Sequence, residues 1–179
     1  MGNWFVWQGR WEYLSQMRKL WIWITFVVVA GVLLALDLWL KSWSGANLMN
    51  QPPRVLVSGF LRLTYFENSG AAFGFLAGAG WGRWFLTIFN IVVLLGLLWY
   101  YNKLPLERKF WLMRVPLILI FAGGIGNLFD RIYLGVVRDM LEFLFINFAI
   151  FNLADVWVVV GVFSLLFVVL FVIRDFPFP

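Results

Sequence analysis

Four stretches of this chain run without a charged side chain: Leu20 to Leu36, Trp84 to Asn102, Val115 to Phe129 and Val156 to Ile173. Each approaches the roughly 20 apolar residues that a helix needs to cross a bilayer. No proline interrupts the first, second or fourth, and Pro116 lies one turn into the third, where it costs little. The pattern predicts transmembrane helices at about 20–40, 84–102, 111–130 and 155–174, within one membrane domain covering 1–179. Arg18 and Lys19 precede the first span as they would in a secretory signal. Its apolar run exceeds the usual ~7–15 residues, however, and no clear small-x-small site follows, so it is predicted to be retained.

The segments between the spans read differently. Residues 42–82 open with Ser, Gly and Asn, pass Pro52-Pro53, and continue as "RVLVSGFLRLTYFEN". This predicts two short strands around Ser58-Gly59, a small sheet on the outer surface. Residues 132–151, "IYLGVVRDMLEFLFINFAIF", have no clean period. They are too apolar for a free loop and are expected to lie in the membrane interface.

Composition supports the membrane reading and narrows the chemistry. The chain is 63% hydrophobic and 13% charged over 179 residues, against ~45–50% and ~25% for a soluble domain. It has no Cys and no His, which excludes disulfides, thiol nucleophiles, Ser-His triads and Cys/His zinc sites. Acid–base work falls to Asp, Glu, Lys or Tyr. The net charge of +5 is scattered in the manner of ordinary membrane flanks, so nucleic-acid binding is not expected.

With the N-terminus inside, eight of the 14 basic residues fall inside and six outside, a weak positive-inside bias. The acids divide more sharply: Glu12, Glu107 and Asp175 fall inside, while Asp37, Glu67, Asp130, Asp139, Glu142 and Asp155 fall outside. Both termini are then expected in the cytoplasm, with the membrane-edge carboxylates clustered on one face.

Five polar constellations mark that face. In "DLWLK", Asp37 and Lys41 share a helix face, as a structural ion pair or as a positioning pair. "ENSGAAFGF" combines Asn68 with the small residues Gly70, Ala71 and Ala72, which suit either a turn with tight packing or a close backbone approach. "GGIGNLFDR" places glycines suited to helix packing before Asn127, Asp130 and Arg131, and the Asp-Arg pair is structural or functional with equal weight. The 15 residues between Arg114 and Asp130 rise only about 22 Å, so Asp130 is expected at or just inside the membrane edge, where an acid is a functional candidate. "GVVRDMLEF" holds Asp139, and "FNLADV" holds Asn152 and Asp155. Asp155 opens the fourth helix, whose dipole favours its ionised form; Asp139 has no such support.

Two carboxylates facing each other cannot both ionise cheaply, so one keeps its proton. The ionised acid activates water while the protonated one donates to a carbonyl oxygen. That scheme hydrolyses a peptide without His, Cys or metal.

"DLWLK", "ENSGAAFGFLAG", "GGIGNLFDRIYLGVVRDML" and "FNLADVWVVVG" resemble, in order, the signature blocks of the bacterial lipoprotein signal peptidases, or signal peptidase II, over about residues 20–174. The resemblance implies a fold: an all-α membrane protein, a four-transmembrane-helix bundle with a small extracytoplasmic β-cradle and an interfacial helical segment. It implies an aspartic endopeptidase of the bacterial inner membrane, active at the outer leaflet, without metal or other cofactor. The substrates implied are diacylglyceryl-modified prolipoproteins, cut just before the lipidated cysteine, in contact with membrane lipid. Globomycin is the implied inhibitor, and a monomer is expected. The resemblance assigns Asp139 and Asp155 as the catalytic pair. It assigns Asp37, Lys41, Asn68, Asn127, Asp130, Arg131 and Asn152 as the surrounding polar residues, and Gly70, Ala71 and Ala154 as small residues near the substrate path. Helix-end physics alone favours Asp130 over Asp139.

Three features depart from the family pattern. Arg138 stands where a valine is more usual, and would alter the titration of Asp139 if it pointed inward. The segment joining the two aspartates is slightly short and "NFAIFN" lacks a proline. The N-terminal stretch, framed by Trp4, Trp7, Trp11 and Trp21, reads as interfacial anchoring. Two rival functions fit these residues less well. A magnesium-dependent lipid-headgroup enzyme is disfavoured by Lys41 and Arg131 among the acids. A proton-coupled transporter is disfavoured because the acids sit at one membrane face rather than the midplane.

Overall fold

The structure is a computed structural model that describes residues 3–70 and 79–173, with side chains described from residue 12 onward. Helix α1 (Asn3–Leu48) leads into strands β1 (Arg54–Val57) and β2 (Leu61–Asn68). Helix α2 (Gly82–Lys103), a short 3-10 turn, helix α3 (Trp111–Tyr133), strand β3 (Val137–Phe143) and helix α4 (Leu153–Phe167) follow, and α4 ends in a π turn at Val168–Val172.

Among the described residues, four helices are long and apolar enough to span a membrane: Glu12–Leu48, Gly82–Lys103, Arg108–Tyr133 and Leu153–Val172. The third is the most buried and packs against all three others. The rest turn long apolar faces outward, among them Val27, Trp39, Ile88, Val92, Phe163 and Phe171, as expected where lipid replaces water. At the end away from the sheet, Phe26 meets Tyr101 and Phe121 with ring centroids 4.7 and 4.9 Å apart. There Arg114 donates to the Leu104 carbonyl at 3.0 Å, closing the end of α2.

α1 is longer than the first span expected at 20–40, because nothing breaks it before Asn50, at φ +58°, and Pro52-Pro53. The β1–β2 hairpin turns at Gly59, whose φ of +70° suits a residue without a Cβ. The sheet order is β1-β2-β3, antiparallel throughout. Its third strand comes from the segment 132–151, expected to be an interfacial helical segment. After Tyr133 that segment contains strand β3 and extended chain rather than helix. The reason is pairing: β2 needs a partner for its second edge, and "VRDMLEF" alternates faces with period two. Phe151 then pairs back on Leu141, giving Met140 and Leu141 backbone acceptors and covering part of the free edge of β3.

Met140, Leu48 and Leu63 form a small core under the sheet. It seats β3 on the end of α1, and so fixes where the β3 side chains fall relative to the bundle.

Candidate active site

Strand alternation decides which β3 side chains meet the bundle interior. Val137, Asp139 and Phe143 line one cavity, while Arg138 and Glu142 take the opposite face. Phe66 is the cross-strand partner of Asp139, so Asn68 lies diagonally across on the same face. Asn68 Nδ2 donates to Asp139 Oδ2 at 3.1 Å, and Asn68 Oδ1 accepts the Gly70 N–H at 2.9 Å.

Asp155 reaches the same cavity from the start of α4. Asn152 caps that helix: its Oδ1 accepts the Asp155 N–H at 3.0 Å, and Asp155 Oδ2 accepts the Asn152 N–H at 3.1 Å, a reciprocal capping box. The acid is therefore locked in one rotamer by the helix end. Asn152 Nδ2 donates to Asp139 Oδ1 at 2.7 Å and to Asn127 Oδ1 at 3.0 Å, and Asn127 Nδ2 donates to Asp155 Oδ1 at 2.7 Å. Both carboxylates are thus held by amide donors around one space.

A lysine stands behind the amides. The fully buried Lys41 Nζ lies 2.9 Å from Asp37 Oδ2, 3.0 Å from Asn127 Oδ1 and 3.6 Å from Asp130 Oδ2. Asp37 Oδ1 accepts the Ala154 N–H at 2.9 Å, so an acid of α1 also caps α4. Asp130 is fully buried and is taken by Arg138, whose Nη2 is 2.7 Å from Asp130 Oδ1. The adjacent Arg131 turns away from Asp130, donates to the Gly70 carbonyl at 3.3 Å and lines the cavity. The Asp-Arg pairing read from "DR" is therefore made by Arg138 instead, since neighbouring helix residues point about 100° apart.

The cavity holds roughly 400 Å³. Asn68, Asn127, Arg131, Asp139 and Asp155 form its polar end, and Phe143, Phe148, Phe151 and valines of α4 form its wall. Burial, reinforced by the charge of Asp155, pushes the Asp139 carboxyl up to about 7, against the pull of Asn68, Asn152 and Lys41. Asp139 can thus hold or release a proton near neutrality.

The structure gathers Asp37, Lys41, Asn68, Asn127, Asp130, Arg131, Asp139, Asn152, Ala154 and Asp155 at one end of the bundle. Gly70 joins them through its backbone. Ala71 lies outside the described residues. The glycines of "GGIG" pack closely against neighbouring helices, and Gly126 does so at the site itself: a Cβ there would collide with Asp37 Oδ2 and stand 3.2 Å from the Ala154 Cβ. The signal was its position one residue before Asn127 and four before Asp130 on the same helix.

Residues 14–171 match the family described as Signal peptidase (SPase) II. The lipoprotein signal peptidase of Streptococcus thermophilus (strain CNRZ 1066) is 39% identical over 152 residues, covering 85% of this chain and 94% of that protein. The lipoprotein signal peptidase of Streptococcus pneumoniae (strain ATCC BAA-255 / R6) is 39% identical over 143 residues, covering 80% and 90%. Among solved structures, a bacterial membrane enzyme determined by the in meso method at 1.9 Å resolution superposes with a TM-score of 0.73 at 28% identity, covering 83% of this chain and 94% of that one. With apolar spans, a small antiparallel sheet and a match over most of its length, the chain belongs to the signal peptidase II family of aspartic peptidases and is a multi-pass bacterial membrane protein.

Proposed function

We propose that this protein removes signal peptides from diacylglyceryl-modified prolipoproteins, cutting just before the lipidated cysteine, with Asp139 and Asp155 as the catalytic dyad. The observation that carries this reading is the single cavity lined by both carboxylates, polar at one end and walled by phenylalanines and valines at the other. Such a space suits an extended peptide that bears an acyl-modified residue.

In the mechanism, ionised Asp155 is held by Asn127 Nδ2 and the Asn152 N–H and takes a proton from water. The water oxygen bonds to the scissile carbonyl carbon as protonated Asp139 donates to the carbonyl oxygen. Collapse of the tetrahedral intermediate returns that proton to Asp139. Asp155 passes its proton to the leaving amine, the new N-terminus of the cysteine. Lys41 is bound to Asp37 and Asn127 and serves to position the amides rather than to attack.

Under this reading the sheet end of the bundle faces the outer leaflet of the cytoplasmic membrane and both termini are cytoplasmic. The protein acts as a monomer without a cofactor, and globomycin inhibits it by filling the same cavity. The test is cleavage in proteoliposomes, read as a gel shift, with lipidated and unlipidated forms of one prolipoprotein. Cleavage of the lipidated form alone is expected, and equal cleavage of both contradicts the proposal.

A further inference from the structure

Arg138 precedes Asp139 on β3 yet takes no part in lining the cavity. Its Nε, its Nη2 and its own backbone N–H all donate to the Asp130 carboxylate, at 3.2, 2.7 and 3.0 Å. Asp130 has no exposed surface, and the Arg138 side chain is 14% exposed. A buried carboxylate is costly unless paired, and Arg138 supplies both the charge and the bidentate geometry.

We infer that Arg138 is a positioning residue for the cleavage reaction: by satisfying Asp130 it leaves the Lys41 ammonium on Asn127, and through Asn127 it fixes Asp155. The inference rests on the dyad reading above. Its geometric basis is the order of distances around Lys41 Nζ. The ammonium is 2.9 Å from Asp37 and 3.0 Å from Asn127 Oδ1, but 3.6 Å from Asp130. Asp130 is a poor competitor for the lysine because three donors of Arg138 already occupy it. Without the guanidinium, Asp130 becomes an under-compensated anion in a low-dielectric interior and draws Lys41 toward itself. Asn127 Oδ1 then keeps only Asn152 Nδ2, and the amide that holds Asp155 Oδ1 at 2.7 Å loses its anchor.

The same displacement alters the charges seen by Asp139. Asp155 faces it from α4, Lys41 from α1 and Arg131 from α3, with the neutral Asn68 on β2 and Asn152 before α4. Of these, Lys41 is the group that moves. Its retreat removes a positive charge that favours ionised Asp139.

The experiment compares the full chain with Arg138→Met, Arg138→Lys, Asp130→Asn, Asp139→Asn and the Asp130→Asn/Arg138→Met double variant. All are reconstituted in lipid nanodiscs and assayed on lipidated prolipoprotein across a pH series. Arg138→Met is expected to lower kcat about tenfold, with KM little changed, and to move the alkaline limb of the profile to higher pH. Arg138→Lys is expected to recover most of both. In the Asp130→Asn background Arg138→Met is expected to add little, because the two residues act as a unit. If Arg138→Met does not fold, Arg138→Lys and the double variant, which has no unpaired buried acid, carry the test through the same pH profile. Unchanged kcat and profile in Arg138→Met, or a fully additive loss in the double variant, overturns the inference. Asp139→Asn separates the two readings: if it cleaves normally, the dyad assignment itself has failed, whatever Arg138 does.

Discussion

Asn152 and Asp155 hold each other through two reciprocal hydrogen bonds, 3.0 Å from the Asp155 N–H to Asn152 Oδ1 and 3.1 Å from the Asn152 N–H to Asp155 Oδ2. A helix cap thereby frames the carboxylate proposed to activate water. The remaining donor of Asn152, its Nδ2, reaches Asp139 at 2.7 Å, so one side chain sets the spacing of both acids.

Capping and bridging can be separated by substitution. Asn152→Ser keeps a capping oxygen but loses the amide donor. It is expected to lower the melting temperature little and kcat by about tenfold or more. Asn152→Ala loses both and is expected to cost about 1 kcal/mol or more of stability as well. Thermal melts beside cleavage rates in the same detergent check this. Equal kcat in Asn152→Ser and the parent would show that the bridge to Asp139 is idle.

Gly126→Ala pushes a methyl into Asp37 Oδ2 on one side and Ala154 on the other. Asp37 must then leave the Ala154 N–H that it caps. Overpacking of this kind costs about 1–3 kcal/mol, and cleavage is expected to fall with it. Gly31→Ala, where nothing lies within 4 Å of the added methyl, is the matched control and is expected to be neutral. The comparison is read by melting temperature and turnover.

Lys41 is surrounded by two buried carboxylates and an amide oxygen. Lys41→Met leaves Asp37 and Asp130 to share one fewer cation and is expected to destabilise by about 3–5 kcal/mol and to lose most activity. Lys41→Arg keeps the charge and should retain part of both. A covalent adduct trapped on Lys41 would contradict the positioning role.

The pH dependence has a fixed sign. Asp139 titrates at about 7 in the folded protein and near 3.9 when unfolded. A raised folded value means that its contribution to stability is full below the unfolded value and is lost as pH rises through the folded one. Asp139→Asn cannot ionise. It is therefore expected to be more stable than the parent at about pH 8, with the gap closing toward roughly pH 5. Melting temperatures across that range measure it, and a gap that widens on acidification contradicts the buried-acid account.

Much of this was legible in the sequence because apolar length and charged breaks are strong signals. Trp84–Asn102 reads as a span and lies inside α2, and the Val/Leu/Tyr run around Ser58-Gly59 reads as the β1–β2 hairpin it forms. The third strand was hidden because "VRDMLEF" sets a buried acid beside a half-buried arginine, so its period-two pattern cannot be seen from hydropathy. Sequence alone leaves open whether Arg138 points toward Asp139; adjacent strand residues face opposite ways, and its partner is Asp130. That Gly126 packs was legible, but its neighbours Asp37 and Ala154 were not, because they depend on how closely α1 and α4 approach α3, a tertiary distance that no local pattern encodes.

In the proposed mechanism Asp139 and Asp155 act as one unit and Asp130 supports them. The most direct measurement is single-turnover cleavage of lipidated prolipoprotein by Asp139→Asn, Asp155→Asn, the double variant and Asp130→Asn, each verified as folded by its melting transition. Expected are no detectable cleavage by either dyad variant, a double variant no worse than the singles, and an impaired but active, less stable Asp130→Asn. Near-normal cleavage by Asp139→Asn, with a stably folded but inactive Asp130→Asn, would contradict it and put Asp130 in the place of Asp139.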